Sequence, residues 1–152
     1  EDHLPTGEIK PVENTAYDFR QPLPIKHNME TLLAAGVSPY NANYIIDRDL
    51  QTTPPHTLVH CATLQEDSTG IQLDCLTTQP AVQFFTSFED VVAGIEGKGS
   101  VQYPVYAGVC LETQHSPDSV NQPNFPSTIL RPGEHYFHRT IYAFSLMSDE
   151  NG

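Results

Sequence analysis

Tryptophan is absent from the 152-residue chain and methionine occurs only twice. Cations are scarce: 7 Lys and Arg stand against 19 Asp and Glu, a formal net charge of -12. A field of that sign repels nucleic-acid phosphates and anionic membrane surfaces, so neither is expected as a partner, while an uncharged ligand is indifferent to it. No apolar run approaches the ~20 residues that a membrane-crossing helix needs. The three cysteines, Cys61, Cys75 and Cys110, are an odd number, so they cannot form a fully paired disulfide framework. Each sits in an apolar run, where a thiol is expected to behave as a small buried hydrophobe. The redox compartment therefore stays open, and no Asn-x-Ser/Thr sequon favours secretion. The chain starts at Glu1-Asp2 without an initiator Met or a signal-peptide pattern. Such a start is expected of a processed product or of a deliberately shortened chain.

Recognisable metal and phosphate motifs are also missing. His135 and His138 are three apart, so on a strand they face opposite sides, and the adjacent pair His60-Cys61 diverges likewise. No metal and no cofactor are expected. A nucleophilic pair of Cys110 and His115 lacks electropositive neighbours to activate the thiol. The glycines at 94, 97 and 99 lie in an acidic loop that does not fit a phosphate-binding pattern.

What the chain does have is proline, 13 residues of it, and short runs of period two. Its length suits one domain with a real core. Residues 1–28 read as extended loop with at most one short strand, 29–36 as one or two helical turns stopped by Gly36, and 43–47 as a short strand. Then come a strand at 57–64, a turn at 66–70 and a strand at 71–78, together a hairpin. In the second of these Ile71, Leu73 and Cys75 share one face, Gln72 and Asp74 the other. A strand at 81–86 and an acidic loop to 100 follow. From 101 to 111 alternation is sustained, with Val101, Tyr103, Val105, Ala107, Val109 and Leu111 on one side and Gln102, Tyr106, Cys110, Glu112 and Gln114 on the other. Residues 115–127 read as loop, 128–130 as a strand, 131–134 as a turn and 135–146 as the closing strand. Short strands and long loops predict an all-β sandwich or barrel.

Glu112 lies on the polar side of an apolar strand, beside Gln114 and near His115. Such a carboxylate is either a base with a raised pKa facing a cleft or a solvated strand residue, and spacing does not decide between them. Asn41, Asn43 and Tyr44 follow Pro39; amides and an aromatic ring there suit hydroxyl groups and apolar ring faces, or simply turn chemistry. Asp18 and Arg20 read as a structural ion pair or a ligand contact.

Several segments, in this order, resemble the aldose 1-epimerase (galactose mutarotase) family. Leu4-Pro5-Thr6-Gly7-Glu8-Ile9 with Tyr17-Asp18-Phe19-Arg20 is similar to the family's "PTGE…FDFR". The run from Thr77 through Gln79-Pro80 and Gln83 to Thr86 is similar to "TTQPGVQFYT". Cys110-Leu111-Glu112-Thr113-Gln114, then Pro117-Asp118 and Asn121-Gln122-Pro123-Asn124-Phe125-Pro126, resembles "CLETQ…PDxxNQPNFP". Leu130-Arg131-Pro132-Gly133-Glu134 and His138-Arg139-Thr140-Ile141-Tyr142 resemble its closing strands.

The resemblance implies a large, galactose mutarotase-like β-sandwich about twice this long, of which residues 1–152 are the C-terminal half. A missing N-terminal segment or a partner chain, cleaved from one precursor in a surface loop, is expected to complete it. It also implies a monosaccharide substrate and a general acid–base reaction. A glutamate takes the anomeric hydroxyl proton, a histidine protonates the ring oxygen, and the opened sugar recloses as either anomer. By position Glu112 is the base and Gln83 a hydroxyl contact, with Asn41, Asn43 and Tyr44 completing the substrate-binding set; the acid histidine belongs to the missing half. The family's "YDHNY" reads Tyr40-Asn41-Ala42-Asn43-Tyr44 here. An amide in place of the carboxylate forgoes a charge-assisted bond, a loss of ~1–3 kcal/mol in sugar binding. A non-catalytic protein binding a sugar or another ligand in the same cleft is the alternative. Family resemblance implies a cytoplasmic compartment; apparent processing leaves secretion open.

Overall fold

A computed structural model describes residues 4–48, 52–54, 56–87 and 95–147. The elements are helix α1 (Ile25–Ala34) and strands β1 (Asn41–Ile45), β2 (Val59–Glu66), β3 (Ile71–Thr77), β4 (Ala81–Thr86), β5 (Val109–Gln114) and β6 (Thr140–Leu146), with single 3-10 turns at Lys98–Ser100 and Ser119–Asn121. The strands form two three-stranded sheets, ordered β1-β4-β5 and β2-β3-β6, so the expected all-β class holds. No helix among the described residues is long and apolar enough to cross a membrane.

The chain divides into two compact units. One comprises Thr6–Ala42 and Gln83–Cys110, the other Glu1–Pro5, Asn43–Val82 and Leu111–Gly152.

The first unit is built around Tyr40, which is fully buried. Its ring stacks on Phe84 at a centroid distance of 5.1 Å and meets the edges of Phe19 and Tyr17 at 5.2 and 5.9 Å. These are the offset and edge-on geometries that aromatic quadrupoles prefer. The Tyr40 hydroxyl donates to the Ala16 carbonyl at 3.0 Å, which satisfies its one polar atom. Helix α1 turns Met29 and Leu32 inward, three residues apart on one face. It ends in a Schellman motif: Gly36, at φ +70°, donates to the Leu33 carbonyl and Val37 to that of Leu32. Gly36 thus acts as the expected stop, but the helix starts at Ile25 rather than 29. Pro24, with φ -56°, stands at the N-cap, where its missing N–H costs nothing. Asp18 and Arg20 are a two-pronged ion pair, at 2.9 and 2.8 Å.

The second unit contains the β2-β3-β6 sheet, antiparallel throughout. The expected hairpin is β2 and β3, with Thr63 opposite Asp74 and Gln65 opposite Gln72. Both cross-strand pairs are hydrogen bonded, at 2.6 and 2.9 Å, so the expected polar face is present. A bulge at Cys61 breaks the register once. In the turn Gly70 adopts φ +71°. The Glu66 carboxylate there accepts from the N–H and hydroxyl groups of Ser68 and Thr69, at 2.6 to 3.0 Å.

Three expected strands are shorter or missing. Alternation at 101–111 does not make one strand: β5 begins at Val109, and Val101, Tyr103 and Val105 are exposed. Pro104 has no N–H for a ladder, and Tyr106 takes a left-handed φ of +62°; residues 104–107 turn instead, Ala107 donating to the Pro104 carbonyl at 3.2 Å. Residues 128–130 form no strand, and the closing strand starts at Thr140, not 135. The acidic loop expected up to 100 falls largely on 88–94, outside the described residues. Cysteine burial differs as well: Cys75 is buried and Cys61 half-buried, but Cys110 is exposed. All three thiols are free. On β6, alternation puts Tyr142, Phe144 and Leu146 on one face, 46, 74 and 73% being the exposures of the first, last and middle residues.

Candidate functional site

Among the residues singled out from sequence, Gln83 and Asn41 are in direct contact. Gln83 is on β4 between the buried Val82 and Phe84, and its Nε2 donates to Asn41 Oδ1 at 2.6 Å. Its Oε1 is buried and has no partner among the described residues. A buried amide oxygen left bare is costly, so it is a natural acceptor for a ligand hydroxyl. Asn43 and Tyr44 are adjacent on β1 and therefore point to opposite faces. Both are half-buried, and Asn43 Nδ2 has no partner among the described residues. They lie within the strand rather than at a loop junction. Glu112 sits in the middle of β5 with its side chain exposed.

Sequence reasoning missed a second constellation, which lies wholly within the unit that holds Glu112. A cavity of about 450 Å³ is lined by His56, His115, His135, His138, Tyr136 and Gln79, among others. His135 and His138 were expected on opposite sides of a strand; the backbone there is irregular, and both reach the same cavity. The His138 ring lies 5.5 Å from that of His115 and 5.0 Å from Tyr136. Thr78 fixes it: its hydroxyl bonds to His138 Nδ1 at 3.0 Å and accepts from the Arg139 N–H at 2.9 Å. Burial lowers the pKa of both His115 and His138; His138 lowers His115 further, while on His138 the hydrogen bond with Thr78 opposes burial and is followed by smaller lowering contributions from His56 and Arg48. Both shifts favour the uncharged imidazole. Gln79 donates to the Tyr136 hydroxyl at 3.0 Å, while its buried Oε1 has no partner among the described residues. The readable signal was the number of histidines, but their convergence from separated segments leaves no mark in local spacing.

Thr113 and Gln114 of β5 also line this cavity, whereas Glu112 does not. β5 is anchored by its neighbours: Thr113 and Thr140 share a hydroxyl–hydroxyl bond, and the Tyr142 hydroxyl donates to the Leu111 carbonyl at 2.6 Å. Among the described residues, no group of three or more His, Cys, Asp or Glu has metal-holding geometry.

The family model for aldose 1-epimerase matches residues 1–143. Galactose mutarotase of Mus musculus is 40% identical over 144 residues, and that of Homo sapiens 38%; each match covers 94% of this chain and 39% of the relative. Aldose 1-epimerase of Haemophilus influenzae is 27% identical over 143 residues. A crystal structure described as a GalM/aldose epimerase homologue from C. elegans superposes with a TM-score of 0.77 at 23% identity, over 95% of this chain and 41% of that one. The fold is therefore that of the galactose mutarotase-like β-sandwich. The chain spans about two fifths of the length of these curated relatives. With the family pattern matched over residues 1–143, from the first residue to within β6, the chain belongs to the aldose 1-epimerase family.

Proposed function

We propose that this chain carries the base of a sugar mutarotase, and that an N-terminal segment or a second chain supplies the remaining part of the fold together with the acid histidine. The observation that carries the proposal is Glu112: a family-matched stretch holds it at the centre of β5, with its carboxylate exposed and available to a substrate. The reaction is interconversion of the α and β anomers of an aldohexose such as galactose or glucose. Glu112 takes the proton from the anomeric hydroxyl, a histidine of the completing part gives one to the ring oxygen, and the C1–O bond of the ring opens. Rotation of the aldehyde and reclosure on its other face give the second anomer, and the two protons return. Gln83 and Asn41, with Asn43 on the same face of β1 as Asn41, bind the sugar hydroxyls. The bare Oε1 of Gln83 supports that role.

A need for a completing chain is supported by β6, whose apolar Tyr142, Phe144 and Leu146 are exposed on one face, a surface that soluble proteins cover. Polarimetry of freshly dissolved galactose tests the reading. Mixed with the N-terminal part of a family member, the chain accelerates anomer equilibration, and Glu112→Gln removes the acceleration. Survival of the rate in that variant would refute Glu112 as the base.

One observation favours a non-catalytic sugar binder instead. The resemblance expects a carboxylate where Asn41 stands, and Asn41 Oδ1 is already engaged by Gln83 at 2.6 Å. In that case the assembled protein binds galactose and leaves its mutarotation at the uncatalysed rate.

A further inference from the structure

We propose that the histidine-lined cavity is a second ligand site, separate from Glu112, for a neutral polyhydroxylated molecule, a sugar or a polyol. The proposal does not rest on the mutarotase reading, because Glu112 is not among the residues that line the cavity.

The lining decides the ligand class. Among the described residues no Asp, Glu, Lys or Arg lines it, so a charged ligand finds no counter-charge in that wall. Burial favours the uncharged form of His115 and His138. What remains is a dense set of donors and acceptors: the imidazoles of His115 and His138, the amides of Gln79 and Gln114, and the hydroxyls of Thr113, Ser127 and Thr128. The rings of Tyr136 and Phe137, 65 and 51% exposed, add apolar faces for C–H groups. That combination, hydrogen bonding without charge beside an aromatic face, suits a molecule bearing several hydroxyls on a carbon frame.

An independent observation marks the site as incomplete without a ligand. Gln79 is only 7% exposed and lines the cavity. Its Nε2 is spent on the Tyr136 hydroxyl at 3.0 Å, and its Oε1 accepts from nothing among the described residues. Buried acceptors in native proteins are nearly always satisfied, so an unmet one at a cavity wall points to a donor that enters from outside. A hydroxyl is the donor that an uncharged site admits. The volume, about 450 Å³, is that of a small-molecule site.

The test uses the full chain with histidines labelled at Cε1, observed by NMR at neutral pH and assigned with single His→Asn variants. Methyl β-galactoside is the first probe, because its blocked anomeric carbon cannot undergo mutarotation; sorbitol is the second. Expected is a saturable shift of the His115 and His138 signals, unchanged in Glu112→Gln. Gln79→Ala and Tyr136→Phe weaken it about tenfold, a loss of ~1.4 kcal/mol. Tyr136 is largely exposed, so its variant keeps the test valid should Gln79→Ala fail to fold. Response to the glycoside alone identifies a sugar site, and response to both probes a polyol site; either supports the proposal. Absence of a saturable shift with both probes on the order of 100 mM, a hundredfold above a 1 mM Kd, overturns it. So does a shift that disappears in Glu112→Gln, which would place the ligand at Glu112 instead.

Discussion

Gln83 donates its amide N–H to Asn41 Oδ1, at 2.6 Å, and its own carbonyl oxygen has no partner among the described residues. Two amides bonded in this way leave one strong acceptor for a ligand and no charge. An aspartate at 41 would accept from Gln83 with one oxygen and still offer a charged acceptor with the other. In the completed protein, Asn41→Asp is therefore expected to tighten sugar binding by ~1–3 kcal/mol, roughly 5- to 150-fold. Titration with a methyl glycoside measures it. Equal affinity in the two proteins would show that position 41 does not touch the sugar.

The turn between β2 and β3 depends on one carboxylate. Glu66 accepts hydrogen bonds from the hydroxyl and backbone of Thr69 and of Ser68, which hold its pKa at about 2 instead of 4.5. A depressed carboxylate stabilises the fold above its unfolded pKa, and the contribution disappears as pH falls through the folded value. Stability is expected to decline from about pH 4.5 to about pH 2. Asp18, held at about 2 by Arg20, contributes a parallel decline. Glu66→Gln is expected to lower the urea midpoint at pH 7 and to flatten the acid limb, leaving the Asp18 part. An acid limb identical to wild type would show that the turn does not sense ionisation of Glu66.

Tyr40 gives the opposite sign. Burial, with a smaller contribution from Tyr17, pushes its hydroxyl from 10 up to about 12. The folded state then holds its proton where the unfolded chain has released it, so the stabilisation is complete below pH 10 and is lost between pH 10 and 12. Tyr40→Phe removes that alkaline component. It also strands the Ala16 carbonyl, which accepts from Tyr40 at 3.0 Å, at a cost of ~1 kcal/mol at neutral pH. Denaturant midpoints of the two proteins across pH 8 to about 12 give both numbers; parallel curves would refute the burial argument.

The same few residues show why some of the fold was legible in the chain and some was not. β4 was read with its observed bounds, because a short, mostly apolar run there is flanked by Gln79-Pro80 and by a polar residue at 87. The β2-β3 hairpin was readable because Gly70 and the Ser-Thr pair before it are turn chemistry. At 101–108 the period of two was equally regular, yet Pro104 and the left-handed Tyr106 turned the chain. Local conformation defeated the pattern there. The helix was placed four residues late because its first turn, from Ile25, carries no periodic signal. Gln83 and Glu112 were singled out through family resemblance, and the structure places both on strands. The histidine cavity was missed because His56, Gln79, His115 and His138 come from distant segments, and only tertiary packing makes them neighbours.

The exposed face of β6 leads to the last prediction. Leu146, Phe144 and Tyr142 are 74, 73 and 46% exposed and lie two residues apart, so they form one apolar row. Their ladder partners on β3 are Ile71, Leu73 and Cys75, and Ile71 is 46% exposed as well. An apolar row at the edge of a sheet invites association. If it is the seam for the completing chain, Phe144→Glu puts a charge where water is to be excluded, and a buried unpaired carboxylate is strongly unfavourable. The variant is expected to keep the isolated chain folded, since Phe144 contributes little burial, and to reduce its self-association in sedimentation. It is also expected to abolish reconstitution of mutarotation with the N-terminal part, as Leu146→Glu should. Reconstitution at the wild-type midpoint concentration would show that the completing chain docks elsewhere and that this row has another use.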